Sequence, residues 1–215
     1  IQRAGERRAL YLHFTMRDNP GLSPQVIRRY ERMYTGRFYE RFVLGRWTAP
    51  EGQIYDMFSP ERHIAPAGER DWQRLVISCD YGTVNPMSMG LWGLWNGVWY
   101  RLRESWYDAR AEGSRRTDEQ HYEALCRLAG EFPPERIEAV VIDPSAASFI
   151  ECVESHRLFR VVRADNRVRE GIAAVSRWLA EGKLSFDPGC EACIREFSLY
   201  RWEEGGSERP VKEQD

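Results

Sequence analysis

From Trp72 onward the chain alternates short apolar runs with longer amphipathic ones, and that alternation leaves few folds open to it. Arg74 to Asp80 reads as a buried strand. Met87 to Trp95 and Val98 to Trp106 read as two strands around Asn96-Gly97, a dipeptide suited to a tight hairpin turn. Thr117 to Gly130 predicts an amphipathic helix capped by Thr117, with Tyr122, Leu125, Cys126 and Leu128 among its apolar positions. Ala139 to Ile142 is a short apolar strand ending at Asp143, followed by a helix from about Ser145 to Ser155. Phe159 to Val162 is strand-like. Val168 to Glu181 is helical, with Ile172, Val175, Trp178 and Leu179 on one face; Leu184 to Phe186 is a short strand and Cys190 to Tyr200 a helix. A strand and a hairpin followed by alternating helices and strands predict an α/β fold, a mixed central sheet flanked by helices. In such sheets functional groups gather at the C-terminal ends of strands.

The first 70 residues read differently. Tyr11 to Phe14 could form a short strand, and Asp18-Asn-Pro-Gly21 is turn chemistry. Ser23-Pro24 looks like a helix start, with Val26, Ile27, Tyr30 and Met33 at helical spacing before Gly36. A second short helix spans Arg37 to Leu44, and residues 50–70 are loop-rich enough to be a linker. The sequence begins with Ile rather than Met and reads as a fragment of something larger.

Composition narrows the class. Of 215 residues, 42% are hydrophobic and 13% aromatic, enough for a sizeable core, which excludes global disorder. No apolar run approaches the roughly 20 residues that span a bilayer, and no signal peptide is evident. Five scattered Cys argue against a disulfide framework and for a reducing, intracellular setting. The net charge of −2 predicts no strong nucleic-acid affinity, but residues 1–50 carry +6 and the remainder −8.

Two carboxylates end apolar strands: Asp80 closes Leu75-Val-Ile-Ser-Cys-Asp80 and Asp143 closes Ala139-Val-Val-Ile-Asp143. An acid in that position is costly unless its charge is offset. A bound Mg²⁺ or Mn²⁺ with oxygen ligands would offset both; a loop or helix cap is the plainer alternative for each, above all for Asp143 before Pro144-Ser145.

At these residues the sequence resembles a known family. Ser78-Cys-Asp-Tyr-Gly-Thr-Val-Asn-Pro86 looks like the first motif of phage terminase large-subunit nuclease domains, and Ile142-Asp-Pro-Ser145 like their second acidic motif. Arg169-Glu-Gly-Ile172, Glu181-Gly-Lys-Leu184, Glu196-Phe-Ser-Leu-Tyr-Arg-Trp202 and Arg209 to Asp215 are similar to the run into the third. Upstream, Asp18-Asn-Pro20, Gly36 and Leu44-Gly-Arg-Trp47 resemble the stretch joining a packaging ATPase to its nuclease.

The resemblance implies an RNase H-like (resolvase-type) nuclease domain over 71–215, truncated at its C-terminus, behind a connecting loop at 51–70. Residues 1–50 would be the end of an ATPase domain and a helical linker. It implies a metal-dependent endodeoxyribonuclease of viral genome packaging that cuts concatemeric duplex DNA by two-metal hydrolysis. Asp80 would bridge two divalent cations, Mg²⁺ or Mn²⁺, roughly 3.5–4 Å apart, and Asp143 would hold one of them. Tyr81 and Gly82 would shape the turn beyond Asp80, the glycine permitting a close approach. The family's His-x-x-Asp pair falls past Asp215, which could itself lie near the metals. No Gly-x-x-x-x-Gly-Lys-Ser/Thr phosphate loop occurs, so an ATPase motor belongs to a missing N-terminal part. Double-stranded DNA, a portal protein and a small terminase subunit are the implied partners, with no membrane, in the cytoplasm of an infected host cell.

Other features are weighed beside these. Cys190-x-x-Cys193 lacks the further ligands of a zinc site and reads as helix residues facing the core. The four His show no pairing at ligand spacing. Arg157, Arg160, Arg163, Arg167 and Arg169 form the densest basic stretch; Arg160, Arg163 and Arg167 are candidate DNA contacts, with a solvated face as the alternative. Trp202, near a hairpin around Gly205-Gly206, is the tryptophan expected at the surface. Asp80-Tyr-Gly-Thr83 also resembles the phosphate loop of actin-like and sugar-kinase ATPases, but their second Asp-x-Gly loop and adenosine motif are missing. A non-catalytic portal-docking module is the remaining alternative.

Overall fold

The run that begins at Arg74 becomes one of the two central strands of the sheet. In the computed structural model, which describes residues 13–34, 39–45, 52–82, 85–202 and 210, β1 spans Arg74–Asp80 and buries Leu75, Ile77 and Cys79 at alternate positions. The antiparallel hairpin of β2 (Met87–Trp95) and β3 (Val98–Tyr107) follows. Its turn passes through Asn96 at φ 48° and Gly97 at φ 79°. Two successive positive φ values are what the two-residue hairpin turn requires, and Asn-Gly supplies them with little strain.

With β4 (Ile137–Ile142), β5 (Val161–Arg163) and β6 (Leu184–Phe186) the sheet has six strands in the order β5-β4-β1-β2-β3-β6. The β1–β2 and β2–β3 pairs are antiparallel, whereas β1–β4, β4–β5 and β3–β6 are parallel. The sheet is therefore mixed, as the order of elements predicts.

Each face carries its own core. Helix α3 (Asp118–Ala129) and helix α4 (Ala147–His156) bring Leu125, Leu128, Phe149 and Val153 against Leu75, Ile77, Met87 and Met89. Helix α5 (Val168–Ala180) and helix α6 (Glu191–Leu199) bring Leu179 and Phe197 against Leu184, Phe186, Trp92 and Trp99. The ends of α3 lie where its caps put them. Thr117 Oγ1 accepts the Gln120 N–H, the Gln120 side chain accepts the Thr117 N–H in turn, and Gly130 stops the helix at φ 61°.

The upstream helix α1 (Pro24–Met33) is capped by Ser23, whose hydroxyl accepts the Val26 N–H at 3.3 Å, and it buries no residue. The second short helix expected over Arg37 to Leu44 is present in its described part, as a π-helical turn at Tyr39–Val43. The strand expected at Tyr11 to Phe14 does not form over its described part. His13 and Phe14 are irregular, with Phe14 65% exposed, while Tyr11 and Leu12 lie outside the described residues. His13 and Phe14 have no ladder partner to hold them extended.

The loop-rich segment before β1 is fastened to the sheet. Its one turn of helix, α2 (Pro60–His63), ends in a fully buried histidine. His63 Nδ1 accepts the Ser59 N–H at 3.0 Å, which leaves Nε2 to donate to the Leu179 carbonyl at 2.9 Å. Phe58 stacks on Phe197 with centroids 4.4 Å apart. Trp202 is half-buried and bridged to Pro210, and among the described residues the exposed tryptophan is Trp106; the Gly205-Gly206 turn lies outside the described residues. Cys193 is half-buried within α6, but Cys190 is buried just ahead of that helix, its thiol on the Arg101 carbonyl, and so is not a helix residue.

Candidate functional site

Strands β1 and β4 are parallel neighbours whose last paired residues are Cys79 and Ile142. One residue further along, Asp80 and Asp143 leave the two strands at the same level. Residues in register on parallel neighbours point to one face, and the backbones there are about 4.8 Å apart. The two acids therefore emerge together at the C-terminal edge, Asp80 exposed and Asp143 half-buried.

Asp143 is both a cap and an anion. Its Oδ1 accepts the Ser145 N–H at 2.7 Å, and its carbonyl accepts from Ala146 at 3.0 Å. The Ser145 hydroxyl and amide, helped by the Asn166 side chain, hold the carboxyl below the usual carboxylate range. A carboxylate has about four lone-pair sites, so accepting the Ser145 amide and hydroxyl and the Asn166 side chain still leaves a site for a cation. The cap reading and the metal reading of Asp143 are compatible.

The turn after Asp80 is built to fix that residue's height. Tyr81 leaves the strand on the opposite face, stacks on Phe149 with centroids 5.2 Å apart, and donates its hydroxyl to Asp118 at the start of α3. Burial and the Asp118 charge push the phenol up to about 12. At Gly82 a Cβ atom would lie 2.1 Å from the Asn85 carbonyl oxygen and 2.6 Å from that of Pro86. The close approach that calls for glycine is thus made by backbone.

On the face shared with Asp80, Ser78, Gly90 and Glu104 form one row across three strands. Trp92 Nε1 donates to Ser78 Oγ at 3.0 Å. Glu104 accepts the Ala192 and Cys193 N–H groups, at 2.7 and 3.1 Å, in the first turn of α6. It also faces the buried guanidinium of Arg101 at 3.7 Å, which lies against Gly90 and over the Trp92 ring. Sequence reasoning passed over Glu104; an acid inside an aromatic-rich strand was the available signal.

The candidate DNA-contacting arginines are exposed but do not converge. Arg163 ends β5 opposite Ile142, near the acidic edge, whereas Arg160 precedes that strand and its carbonyl accepts from Val140. Arg167 is held by Asp165, its Nε 2.9 Å from both carboxylate oxygens, and this contact draws the Asp165 carboxyl down to about 2. Another basic surface was not anticipated: Arg28, Arg29 and Arg32 of α1 and Arg177 of α5 line one cleft. Asp215 lies outside the described residues.

A second group of donors was also missed. Glu119, Cys152 and His156 bring one ligand atom each to within 4.8 Å of one another. Cys152 and His156 are four apart on a helix, a readable spacing, but Glu119 arrives from another helix.

No family profile matches the chain. It is 42% identical to the large terminase of the thermophilic bacteriophage D6E, solved in complex with ADP, with a TM-score of 0.82 over 99% of this chain and 54% of that one. It is 21% identical over 211 residues to the large terminase subunit of Escherichia phage T5, covering 94% of this chain and 46% of that protein. The nuclease of the large terminase from thermophilic phage G20c, solved with bound magnesium, shares the fold at 14% identity, with a TM-score of 0.51 over 76% of this chain and 88% of that one. The chain spans about half the length of the large terminases it matches. Its relatives are phage large terminases, and its mixed sheet flanked by helices is the RNase H-like fold of their nuclease domains.

Proposed function

We propose that this chain is the nuclease portion of a phage-type large terminase, a metal-dependent endonuclease that cuts concatemeric duplex DNA during genome packaging. The observation that supports the reading is that Asp80 and Asp143 each lie one residue beyond Cys79 and Ile142, the last paired residues of parallel neighbours in a terminase-like sheet. Their donor set fits the group the fold implies. Both offer hard oxygen and no sulfur or imidazole, and Asp143 stays ionised well below neutral pH, which suits Mg²⁺ or Mn²⁺. Asp215 is proposed as a further ligand. Divalent cations held there would supply hydroxide at neutral pH and offset charge on the leaving 3′ oxygen.

The remaining work belongs to the chain's own residues. Ser145 and Asn166 orient the Asp143 carboxylate, while Tyr81 and Gly82 fix where Asp80 ends. Arg160, Arg163 and the Arg28–Arg29–Arg32–Arg177 cleft offer phosphate contacts without base reading, so DNA affinity should be modest and fall steeply with salt. Residues 1–50 act as the helical link from an ATPase, and 71–215 as the nuclease domain. The ATPase, a portal protein and a small subunit are the proposed partners, in the cytoplasm of the infected host. Among the described residues no helix is long and apolar enough to cross a membrane.

The test is plasmid nicking with Mn²⁺ or Mg²⁺, paired with melting curves with and without Mn²⁺, for the wild type, Asp80→Asn and Asp143→Asn. The domain carrying its full C-terminus is expected to nick in Mn²⁺ and to melt higher with it, and neither variant to do either. Undiminished cleavage in excess chelator, or full activity in both variants, would overturn the reading.

A further inference from the structure

We infer that Glu119, Cys152 and His156 form a second divalent-metal site, of zinc class, that clamps α3 to α4 on the sheet face opposite Asp80. The Thr117 cap sets Glu119 in the first turn of α3. Cys152 and His156 lie one helical turn apart on α4, so both side chains meet the same neighbour. His156 Nε2 is 2.8 Å from Glu119 Oε1, and the Cys152 thiol donates to Glu119 Oε2 at 3.5 Å. One carboxylate is thus shared between an imidazole and a thiol. Tyr122, one turn after Glu119, stacks flat on the His156 ring with centroids 3.8 Å apart and fixes the direction of Nε2.

The geometry is close to what a tetrahedral ion needs. Zinc bonds of about 2.0–2.3 Å to N, O and S place neighbouring ligand atoms about 3.4 Å apart. The three atoms here lie within 4.8 Å of one another. A small rotamer adjustment closes the difference, and Glu119 and His156 are exposed enough to make it. Sulfur, nitrogen and oxygen donors together favour Zn²⁺ or Co²⁺ over Mg²⁺, with the fourth position open to water. The donor set is thus the opposite of the all-oxygen pair at the strand ends. A thiol binds metal as thiolate, so a metal bound here would displace the Cys152 proton. Asp118, the residue before Glu119, holds Tyr81, so the clamp would stiffen the same helix start that fixes the turn after Asp80.

A bare surface ion pair between His156 and Glu119 would explain the short contact but not bind metal, and cobalt separates the two. The reduced chain is titrated with Co²⁺ and watched for the near-ultraviolet thiolate-to-cobalt band, which oxygen ligands do not produce. The band is expected in the wild type and in Asp80→Asn, and is expected to vanish in Cys152→Ser. In Glu119→Gln and His156→Gln the affinity for Co²⁺ should fall by at least the roughly 10–100-fold that even an outer-shell change costs. Zn²⁺ should raise the melting temperature of the wild type and of Asp80→Asn but not of Cys152→Ser. Absence of the band in the wild type, or its persistence in Cys152→Ser, overturns the inference. Metal-free melting of each variant shows that it is folded.

Discussion

The hydroxyl of Tyr81 donates to the carboxylate of Asp118, so the residue that follows Asp80 is tied to the first turn of a helix on the opposite face of the sheet. Tyr81→Phe keeps the stacking on Phe149 and removes the hydroxyl's bonds to Asp118 and Ser148. It should cost about 1–2 kcal/mol in urea unfolding, since the acceptor is charged. Nicking should slow without disappearing, because Tyr81 holds no metal. Complete loss of nicking in a folded Tyr81→Phe protein would contradict a purely positioning role.

Gly82→Ala should do the reverse, harming activity more than stability. The added methyl meets the carbonyl oxygens of Asn85 and Pro86, which are backbone and cannot swing aside. Overpacking of this kind costs about 1–3 kcal/mol, and the turn must open to relieve it. Parallel melting and nicking curves should show a modest stability loss beside a nearly inactive enzyme.

Arg167 is neutralised in place, so Arg167→Ala should change DNA affinity little, whereas Asp165→Asn should strengthen it. Freeing one guanidinium is expected to steepen the salt dependence of binding by about one counterion. The sign of the pH effect follows from the depressed carboxyl. Its contribution is present above the unfolded value near 3.9 and is lost as pH falls through about 2, so the pair stays intact throughout the range of any cleavage assay. Both groups are exposed, so no measurable change in stability is expected from either variant. Fluorescence anisotropy across a salt series reads the outcome; equal binding by all three proteins would count against it.

Two glycines should respond oppositely to alanine. At Gly90 a Cβ would fall 2.3 Å from the Arg101 guanidinium, which is buried and held by Glu104 and the Met89 carbonyl. Gly90→Ala should therefore destabilise by about 1–3 kcal/mol. Gly171, inside α5, has open space within 4 Å of where a methyl would sit, and Gly171→Ala should stabilise by about 0.5–1 kcal/mol. Urea denaturation of the two variants decides it.

The elements that could be read in advance are those whose signals are local. Strand β1 was legible from its bounded apolar run, the hairpin from Asn96-Gly97, and α3 from Thr117 and Gly130, since a cap or turn residue declares itself within a few positions. His13 and Phe14 are irregular because a short apolar run does not itself supply a partner strand. At the site, Asp80 and Asp143 were legible because each ends its own strand. Their alignment depends on β1 pairing with β4 some 60 residues away, which the motif resemblance supplied and the spacing did not. Glu104 was hidden for a related reason: its partners are backbone amides of a helix 88 residues later. Asp165 and Arg167, two apart, could have been paired by eye.

Glu104 also sets a mechanical condition on everything that follows residue 191. Two amides at the start of α6 share its carboxylate, and that carboxylate sits in the same cross-strand row as Ser78, two residues before Asp80. Withdrawing the helix would strand a negative charge beside Arg101 and leave two donors without acceptors, so no gradual loosening is available. Helix α6 behaves as a bracket bolted to the strands that end at Asp80. The described residues just past Leu199 therefore set out from a point whose offset from Asp80 is fixed by strand register, and Tyr200 to Trp202 are fastened in turn to the segment at Gly52 to Ile54.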